Sequence, residues 1–102
     1  MVHLPLAAGE KFRGRSRAGF YGDAVEELDW AVGELLHALR AAGKEQDTIV
    51  IFTSDNGPTK VGETGPFRGT KGTLLEGGIR VPCIIRWPSR IQPNSTTDQV
   101  AI

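Results

Sequence analysis

The sequence has little of several features that would narrow its function. Its single cysteine, Cys83, excludes an internal disulfide and any zinc site built from several cysteines. Because Cys83 lies in an apolar run, we expect it to be a small buried hydrophobic residue. Twelve basic and twelve acidic residues cancel. Nothing in the charge balance therefore predicts a nucleic-acid or membrane partner, and we expect no nucleic acid to bind.

Long apolar runs are also missing. No run approaches the roughly 20 residues of a transmembrane helix, so we expect no membrane segment. Residues 1–15 lack the apolar core of a signal peptide, and none is visible. The apolar fraction of 39% and the charged fraction of 24% are those of an ordinary globular protein, and 102 residues are enough for one small domain.

A helix is the clearest element that the sequence predicts. Asp23 followed by Glu26 matches a capping box at its start. Gly43 is a natural stop, so we predict a helix over residues 23–42. Residues 1–21 have no periodic pattern and are predicted to be extended or loop. The apolar residues of the helix recur at spacings of three and four, forming one stripe: Val25, Leu28, Val32, Leu35, Leu36 and Leu39.

Two apolar strands are predicted after the helix, over residues 48–54 and 82–87. The first contains consecutive apolar residues, a pattern typical of a strand covered on both faces of a parallel sheet. We therefore predict an α/β fold with one long helix and the buried strands of a mainly parallel sheet. One helix and two strands cannot cover both faces of such a sheet, so we interpret the chain as a piece of a larger domain.

Polar residues follow the first predicted strand, in glycine-rich loops over residues 55–80. Asp55 and Asn56 come at the carboxyl end of that strand, where open α/β sheets bind ligands. Their side-chain oxygens suit a hard divalent cation such as Ca²⁺ or Mg²⁺. The sequence Asp-Asn-Gly-Pro is also common in turns, so the pattern by itself leaves a plain turn open.

Two basic residues are candidates for binding an anion. Lys71 lies between glycines, where a cation and backbone N–H groups can bind a tetrahedral anion, although a solvated loop lysine is the alternative. The spacing is not that of a P-loop, which argues against ATP binding. His3 can act as a general acid or bind an anionic substrate, and a surface histidine is the alternative. Glu76 and Arg80, four residues apart, are expected to pair or to brace this loop.

An ordered set of motifs runs along the chain: His3-x-Pro5, Tyr21-Gly22-Asp23 with Leu28-Asp29, residues 53–58, residues 69–82, and Trp87-Pro88. In this order and spacing the set resembles the type I sulfatases, the arylsulfatase-like members of the alkaline-phosphatase-like superfamily. The resemblance covers residues 3–91. It implies that residues 1–102 are a fragment of the sulfatase N-terminal catalytic domain, with part of the alkaline-phosphatase-like fold.

The resemblance implies hydrolysis of a sulfate ester, with a sulfated small molecule or glycan as substrate. In that family a formylglycine, made from the Cys or Ser of a C/S-x-P-S/T-x-R motif, attacks sulfur while a divalent ion, usually Ca²⁺, binds the sulfate oxygens. The resemblance assigns metal ligation to Asp55 and Asn56. It assigns sulfate contact to Lys71 and His3, with His3 also assisting the leaving oxygen. Family members are mostly exported or lysosomal, which suggests a periplasmic, secreted or lysosomal location.

The sequence departs from the family pattern in two respects. The formylglycine motif does not occur in the 102 residues, since Cys83 is followed by Ile-Ile-Arg. The early pair of Asp ligands and the other Lys and His of the sulfate pocket also lack counterparts. We therefore expect the chain by itself to be inactive. Two alternatives stay open: a phosphodiesterase or phosphonate hydrolase of the same superfamily, and a non-catalytic truncated accessory domain.

Overall fold

The computed structural model describes residues 6–100. In chain order the elements are helix α1 (Gly19–Ala41), a 3₁₀ turn (Glu45–Asp47), strand β1 (Val50–Thr53), the short helix α2 (Glu76–Ile79) and strand β2 (Cys83–Arg86). Loops make up the remainder. Within these residues, neither helix combines the length and the apolar character that crossing a membrane requires.

Helix α1 begins at Gly19 rather than at Asp23, which corrects the predicted start. Ala18 is the N-cap residue, and no side chain caps this end of the helix. The Asp23 carboxylate instead accepts hydrogen bonds from backbone N–H groups of the preceding loop. Asp23 is therefore not the N-cap residue that the capping-box pattern predicted. The other end agrees more closely with the prediction. Gly43 follows the C-cap residue with a φ of 65°, a conformation that glycine adopts at little cost.

The two strands pair antiparallel, so the predicted parallel arrangement is wrong for the described residues. Thr53 pairs with Cys83, and Val50 pairs with Arg86. The direction follows from the connection, because residues 54–82 return the chain to the same end of the sheet from which β1 leaves. Parallel strands need a crossover that carries the chain back to the opposite end, usually as a helix alongside the sheet.

Neither strand is buried within this chain, which corrects a second expectation. Ile51 and Ile85 lie opposite each other on one face and are 56% and 46% exposed. The other face carries Phe52, which is half-buried and lines a cleft shared with α1. Cys83 is exposed rather than buried. Consecutive apolar residues predicted a strand correctly, but they do not show whether the same chain covers both of its faces.

The most buried apolar side chains of residues 6–100 lie where the chain packs on α1 before entering it. They are Ala8, Phe12 and Ala24. The Phe12 ring centre lies 5.6 Å from that of Trp30, and the Lys11 ammonium lies 4.5 Å from the centre of the Trp30 ring. We call residues 6–18 the arm. The arm has no regular secondary structure and packs on the helix mainly through Ala8 and Phe12, while most of its other residues are exposed.

Candidate metal and anion site

Asp55 and Asn56 lie at the end of β1, on the turn that leaves the sheet. The side-chain amide of Asn56 donates a hydrogen bond to the Asp55 carboxylate, which brings the two side chains together. The Ser54 hydroxyl donates to the Asn56 carbonyl at 3.0 Å and tightens the turn. Asn56 is half-buried and lines the cleft, whereas Asp55 is exposed. The pair is therefore a compact set of oxygen donors at the rim of the cleft.

Three glycines, Gly57, Gly77 and Gly78, pack this turn directly on the loops that follow; we call them the glycine junction. The Gly57 N–H donates to the Gly78 carbonyl at 2.8 Å, and the Gly77 N–H donates to the Arg68 carbonyl at 2.7 Å. A Cβ on Gly57 would lie 1.9 Å from the Gly77 carbonyl oxygen, and a Cβ on Gly77 would lie 2.3 Å from that of Gly69. Such distances exclude any side chain, so only glycine lets these backbones meet.

Lys71 is held beside the Asp55-Asn56 turn by its backbone. Its N–H donates to the Pro58 carbonyl at 2.9 Å. The flanking Gly69 and Gly72 have φ values of 89° and 91°, which residues with a Cβ rarely adopt. The loop therefore folds back on itself around Lys71. Its side chain is exposed and lines the same cleft as Asn56, so the structure brings these two predicted residues to one cavity.

The cleft lies between α1 and the loops that follow β1, and its volume is about 810 Å³. Much of its wall is apolar and is formed by side chains from four separate parts of the chain: Leu6 of the arm, Tyr21, Val25 and Leu28 of α1, Phe52 of β1, and Val61 and Phe67 of the loops. Its polar lining includes Asn56, the cations Lys71 and Arg80, the carboxylate of Glu63, and several Ser and Thr hydroxyls. An apolar cavity with a few convergent polar groups is the usual form of a small-molecule site.

Arg80 braces the loop that carries Lys71. Its guanidinium donates to the Glu76 carboxylate at 3.2 Å and lies 4.6 Å from the centre of the Phe67 ring. The expected pairing of Glu76 with Arg80 is therefore observed. Both side chains are more than half exposed, so the ion pair contributes only about 0–1 kcal/mol, and the contact with the Phe67 ring contributes a similar amount.

His3, the other predicted sulfate-binding residue, lies outside the described residues. Leu6, three positions later, lines the cleft together with Asn56 and Lys71.

Asp55 and Asn56 fit part of a hard-cation site. A carboxylate and a side-chain amide are ligands that Ca²⁺ takes readily, but the ion needs about six to eight oxygens. Rotation of the Asn56 amide would direct its oxygen rather than its nitrogen toward a cation beside Asp55. Across residues 6–100, no group of three or more His, Cys, Asp or Glu side chains is placed to hold a metal ion. The pair supplies a fraction of a coordination shell.

Sequence reasoning missed the role of Asp23. It is 2% exposed, and its carboxylate accepts hydrogen bonds from the N–H groups of Gly14 at 2.7 Å, Ser16 at 2.8 Å and Arg15 at 3.0 Å. The bonds from Ser16 and Gly14 contribute most to lowering its pKa, and burial opposes them. The signal available in the sequence was the spacing of Asp23 and Glu27, because residues four apart place their two carboxylates on one face of a helix.

A family model described as Sulfatase matches residues 3–101 of the chain. Steryl-sulfatase from Mus musculus is 48% identical over 103 residues, which cover 90% of this chain and 16% of that protein. N-acetylgalactosamine-6-O-sulfatase from Bacteroides thetaiotaomicron is 38% identical over 107 residues, which cover 91% of this chain and 21% of that protein.

The fold of this chain also matches solved structures of sulfatases. The PsFucS1 sulfatase from Pseudoalteromonas sp. matches with a TM-score of 0.78 and 40% identity over 84% of this chain and 18% of its own. A structure from work on the metabolism of multiple glycosaminoglycans by Bacteroides thetaiotaomicron matches with a TM-score of 0.85 and 36% identity, over 90% of this chain and 22% of its own. The chain therefore spans about a fifth of the length of the proteins that it matches.

Proposed function

The chain belongs to the sulfatase family, and we propose that it forms part of the catalytic domain of a sulfate ester hydrolase. The observation that supports this most is the glycine junction, which packs the Asp55-Asn56 turn on the loops that follow, so that Asn56 and Lys71 line one cleft. A turn that only reversed the chain would need no such contact. The matched relatives are named as sulfatases, which favours a sulfate ester over a phosphorus ester.

We assign each candidate residue a role that its chemistry can perform. Asp55 and Asn56 would hold a divalent cation, Ca²⁺ in preference to Mg²⁺, and a bound cation would stabilise the negative charge of a sulfate group. Lys71 would bind the sulfate and stabilise the charge that develops as the S–O bond breaks. His3 would contact the sulfate and donate a proton to the leaving alcohol oxygen.

The chemistry of the nucleophile is not supplied by these 102 residues. A formylglycine requires a Cys or Ser in the C/S-x-P-S/T-x-R context, and no such motif occurs in the sequence. We therefore propose that the chain binds sulfate through Lys71 but does not hydrolyse sulfate esters by itself. The substrate of the complete enzyme would be a sulfated small molecule or glycan.

Binding of inorganic sulfate tests the proposal. In NMR titrations of the ¹⁵N-labelled chain, we expect sulfate to shift the signals of Lys71 and of the Asn56 side-chain amide. Lys71→Ala should abolish the response. Lys60→Ala is the matched control, because Lys60 is also an exposed lysine of these loops but does not line the cleft. Equal loss of sulfate binding in both variants would show that only net charge matters and would overturn the assignment.

The metal assignment is tested in the same titration. Ca²⁺ should strengthen sulfate binding by the native chain, because a bound cation adds an attractive charge beside Lys71. The double variant Asp55→Ala, Asn56→Ala should remove this effect and leave the calcium-independent binding in place. Asp98→Ala, which removes an exposed carboxylate far along the sequence, is the control. Persistence of the calcium effect in the double variant would contradict the assignment.

A further inference from the structure

Residues 58–67 form one wall of the cleft, and we call them the cleft loop. Hydrogen bonds within the loop close it into two turns. The Gly62 N–H donates to the Thr59 carbonyl at 3.1 Å, and the Thr64 hydroxyl donates to the Phe67 carbonyl at 2.7 Å. The loop is therefore a compact unit, and its position depends on the few contacts that it makes with the rest of the chain. The residues of the loop that line the cleft are Pro58, Thr59, Val61, Glu63, Thr64 and Phe67.

Tyr21 of helix α1 meets the cleft loop at Gly62. Tyr21 is half-buried and lines the cleft. A Cβ on Gly62 would lie 3.2 Å from the Tyr21 hydroxyl oxygen and 2.6 Å from the Pro58 Cβ. Gly62 has no positive φ, so its backbone conformation does not require glycine. These close contacts do, because only glycine lets the loop pack on Pro58 and on Tyr21 at the same time.

The beginning of the cleft loop holds the backbone of Lys71. The Pro58 carbonyl accepts a hydrogen bond from the Lys71 N–H at 2.9 Å, and the same proline packs on Gly62. Contacts therefore run without a break from Tyr21 on α1, through Gly62 and Pro58, to the lysine. The end of the loop is held separately, where the Phe67 ring lies against the Arg80 guanidinium.

We propose that Tyr21 is a positioning residue for the sulfate site: its side chain holds the cleft loop against α1, and the loop, through Pro58, fixes the backbone that carries Lys71. The proposal rests on the proposed function, because it takes Lys71 to be the residue that binds sulfate. Tyr21 acts through the loop and needs no contact with sulfate. Without the Tyr21 side chain, the Pro58 carbonyl is free to move away from Lys71, and Lys71 is held at the cleft for less of the time.

Amide hydrogen exchange tests the positional part without any ligand. The hydrogen bond to Pro58 protects the Lys71 amide in the native chain. Tyr21→Ala should bring the exchange of this amide close to the rate of an unprotected one, because the loop then opens locally. The Gly57 and Gly77 amides, which bond within the glycine junction, should keep their rates. An unchanged rate at Lys71 would overturn the proposal, and so would an equal rise at all three amides, which would indicate a general loss of stability.

Two further variants test whether the effect belongs to the Tyr21 side chain. Tyr21→Phe keeps all but one heavy atom of that side chain and should restore most of the protection of Lys71. Phe20→Ala is the matched control, because Phe20 is the neighbouring aromatic residue of α1, is 44% exposed and does not line the cleft. Exchange at Lys71 as fast in Tyr21→Phe as in Tyr21→Ala would contradict positioning by packing. Equal loss of protection in Phe20→Ala would refute the specific role of Tyr21.

The functional part is tested with inorganic sulfate, whose single dissociation constant is followed through the signals of Lys71 and of the Asn56 side-chain amide. The apparent affinity falls in proportion to the fraction of time for which Lys71 is held, so a held fraction of about one fifth gives a roughly fivefold fall. We expect Tyr21→Ala to show the fall that its exchange rate sets, and Phe20→Ala to keep the native affinity.

Native sulfate affinity in a Tyr21→Ala variant that has lost the protection of Lys71 would overturn the positioning role. A native chain in which sulfate shifts neither signal would overturn the proposed function instead. In that case the exchange rates would still decide whether Tyr21 positions the backbone of Lys71.

Discussion

Substitution of Gly57 by alanine should destabilise the protein more than its single added methyl group suggests. Gly57 has no positive φ, so alanine causes no backbone strain of its own. The added Cβ, however, would lie 1.9 Å from the Gly77 carbonyl oxygen, whereas ordinary contacts begin at 3.4 Å. The obstacle is backbone, which cannot rotate away as a side chain would. The turn and helix α2 would have to separate.

The magnitude follows from two costs. Forcing extra volume into a packed site costs about 1–3 kcal/mol. Separation also breaks the hydrogen bond from the Gly57 N–H to the Gly78 carbonyl, a net loss of about 1 kcal/mol. We therefore expect Gly57→Ala to lower the free energy of unfolding by about 2–4 kcal/mol. For a chain of this length that corresponds to a fall in Tm of at least about 8 °C.

Gly33→Ala provides the matched control. Gly33 lies inside helix α1, and a Cβ there would meet nothing within 4 Å. Alanine should therefore raise the free energy of unfolding by about 0.5–1 kcal/mol, since glycine is disfavoured in helix interiors. Thermal unfolding followed by circular dichroism measures both variants. If Gly57→Ala left Tm unchanged, or if the two variants shifted Tm in the same direction, the packing assigned to the glycine junction would be wrong.

Two further predictions concern pH and turnover. The pKa of Glu45 is lowered by hydrogen bonds from Arg40 and then Arg86, and that of Asp23 by backbone N–H groups, so both carboxyls bind protons more readily when unfolded. Their contribution to stability is therefore present above the unfolded pKa of about 4 and is lost as pH falls through the lower folded values. Thermal unfolding between about pH 5 and pH 2 should show this loss, and Asp23→Asn should make Tm less dependent on pH there; an equal dependence in that variant would contradict the assignment. In an assay of the purified chain with an aryl sulfate we expect no hydrolysis, and turnover that disappeared in Lys71→Ala would show that these residues do supply a nucleophile.

Local patterns predicted some elements better than others. The apolar stripe predicted helix α1, and the apolar run that follows it predicted strand β1, because both patterns involve residues close together in the sequence. The start of α1 was missed because an Asp that caps a helix and an Asp that binds the preceding loop have the same local sequence. The direction of β2 was missed because it depends on the path of residues 54–82. Contacts between distant segments leave little trace in a single sequence.

In the candidate site, too, the residues could be predicted from the sequence but the contacts between their loops could not. Asp55, Asn56 and Lys71 were identified from residue type and from the resemblance, but nothing local showed that their loops touch. That contact depends on Gly57 meeting Gly77, twenty residues apart in the chain. The glycine-rich composition of residues 55–80 did not show which backbones meet. The packing of the arm was missed for a related reason, since single apolar residues such as Phe12 make no periodic pattern.

Helix α1 both holds the arm and lines the cleft. One side of it contributes Val25 and Leu28 to the cleft, while Asp23 and Glu27 hold the arm. These residues lie within six consecutive positions, about 8 Å along the helix axis, and a helix of that length is rigid. The arm therefore cannot shift relative to the cleft wall unless its contacts with α1 break. For this reason the loss of one carboxylate contact, rather than bending of the helix, is the change that would separate the arm from the loops that carry Asn56 and Lys71.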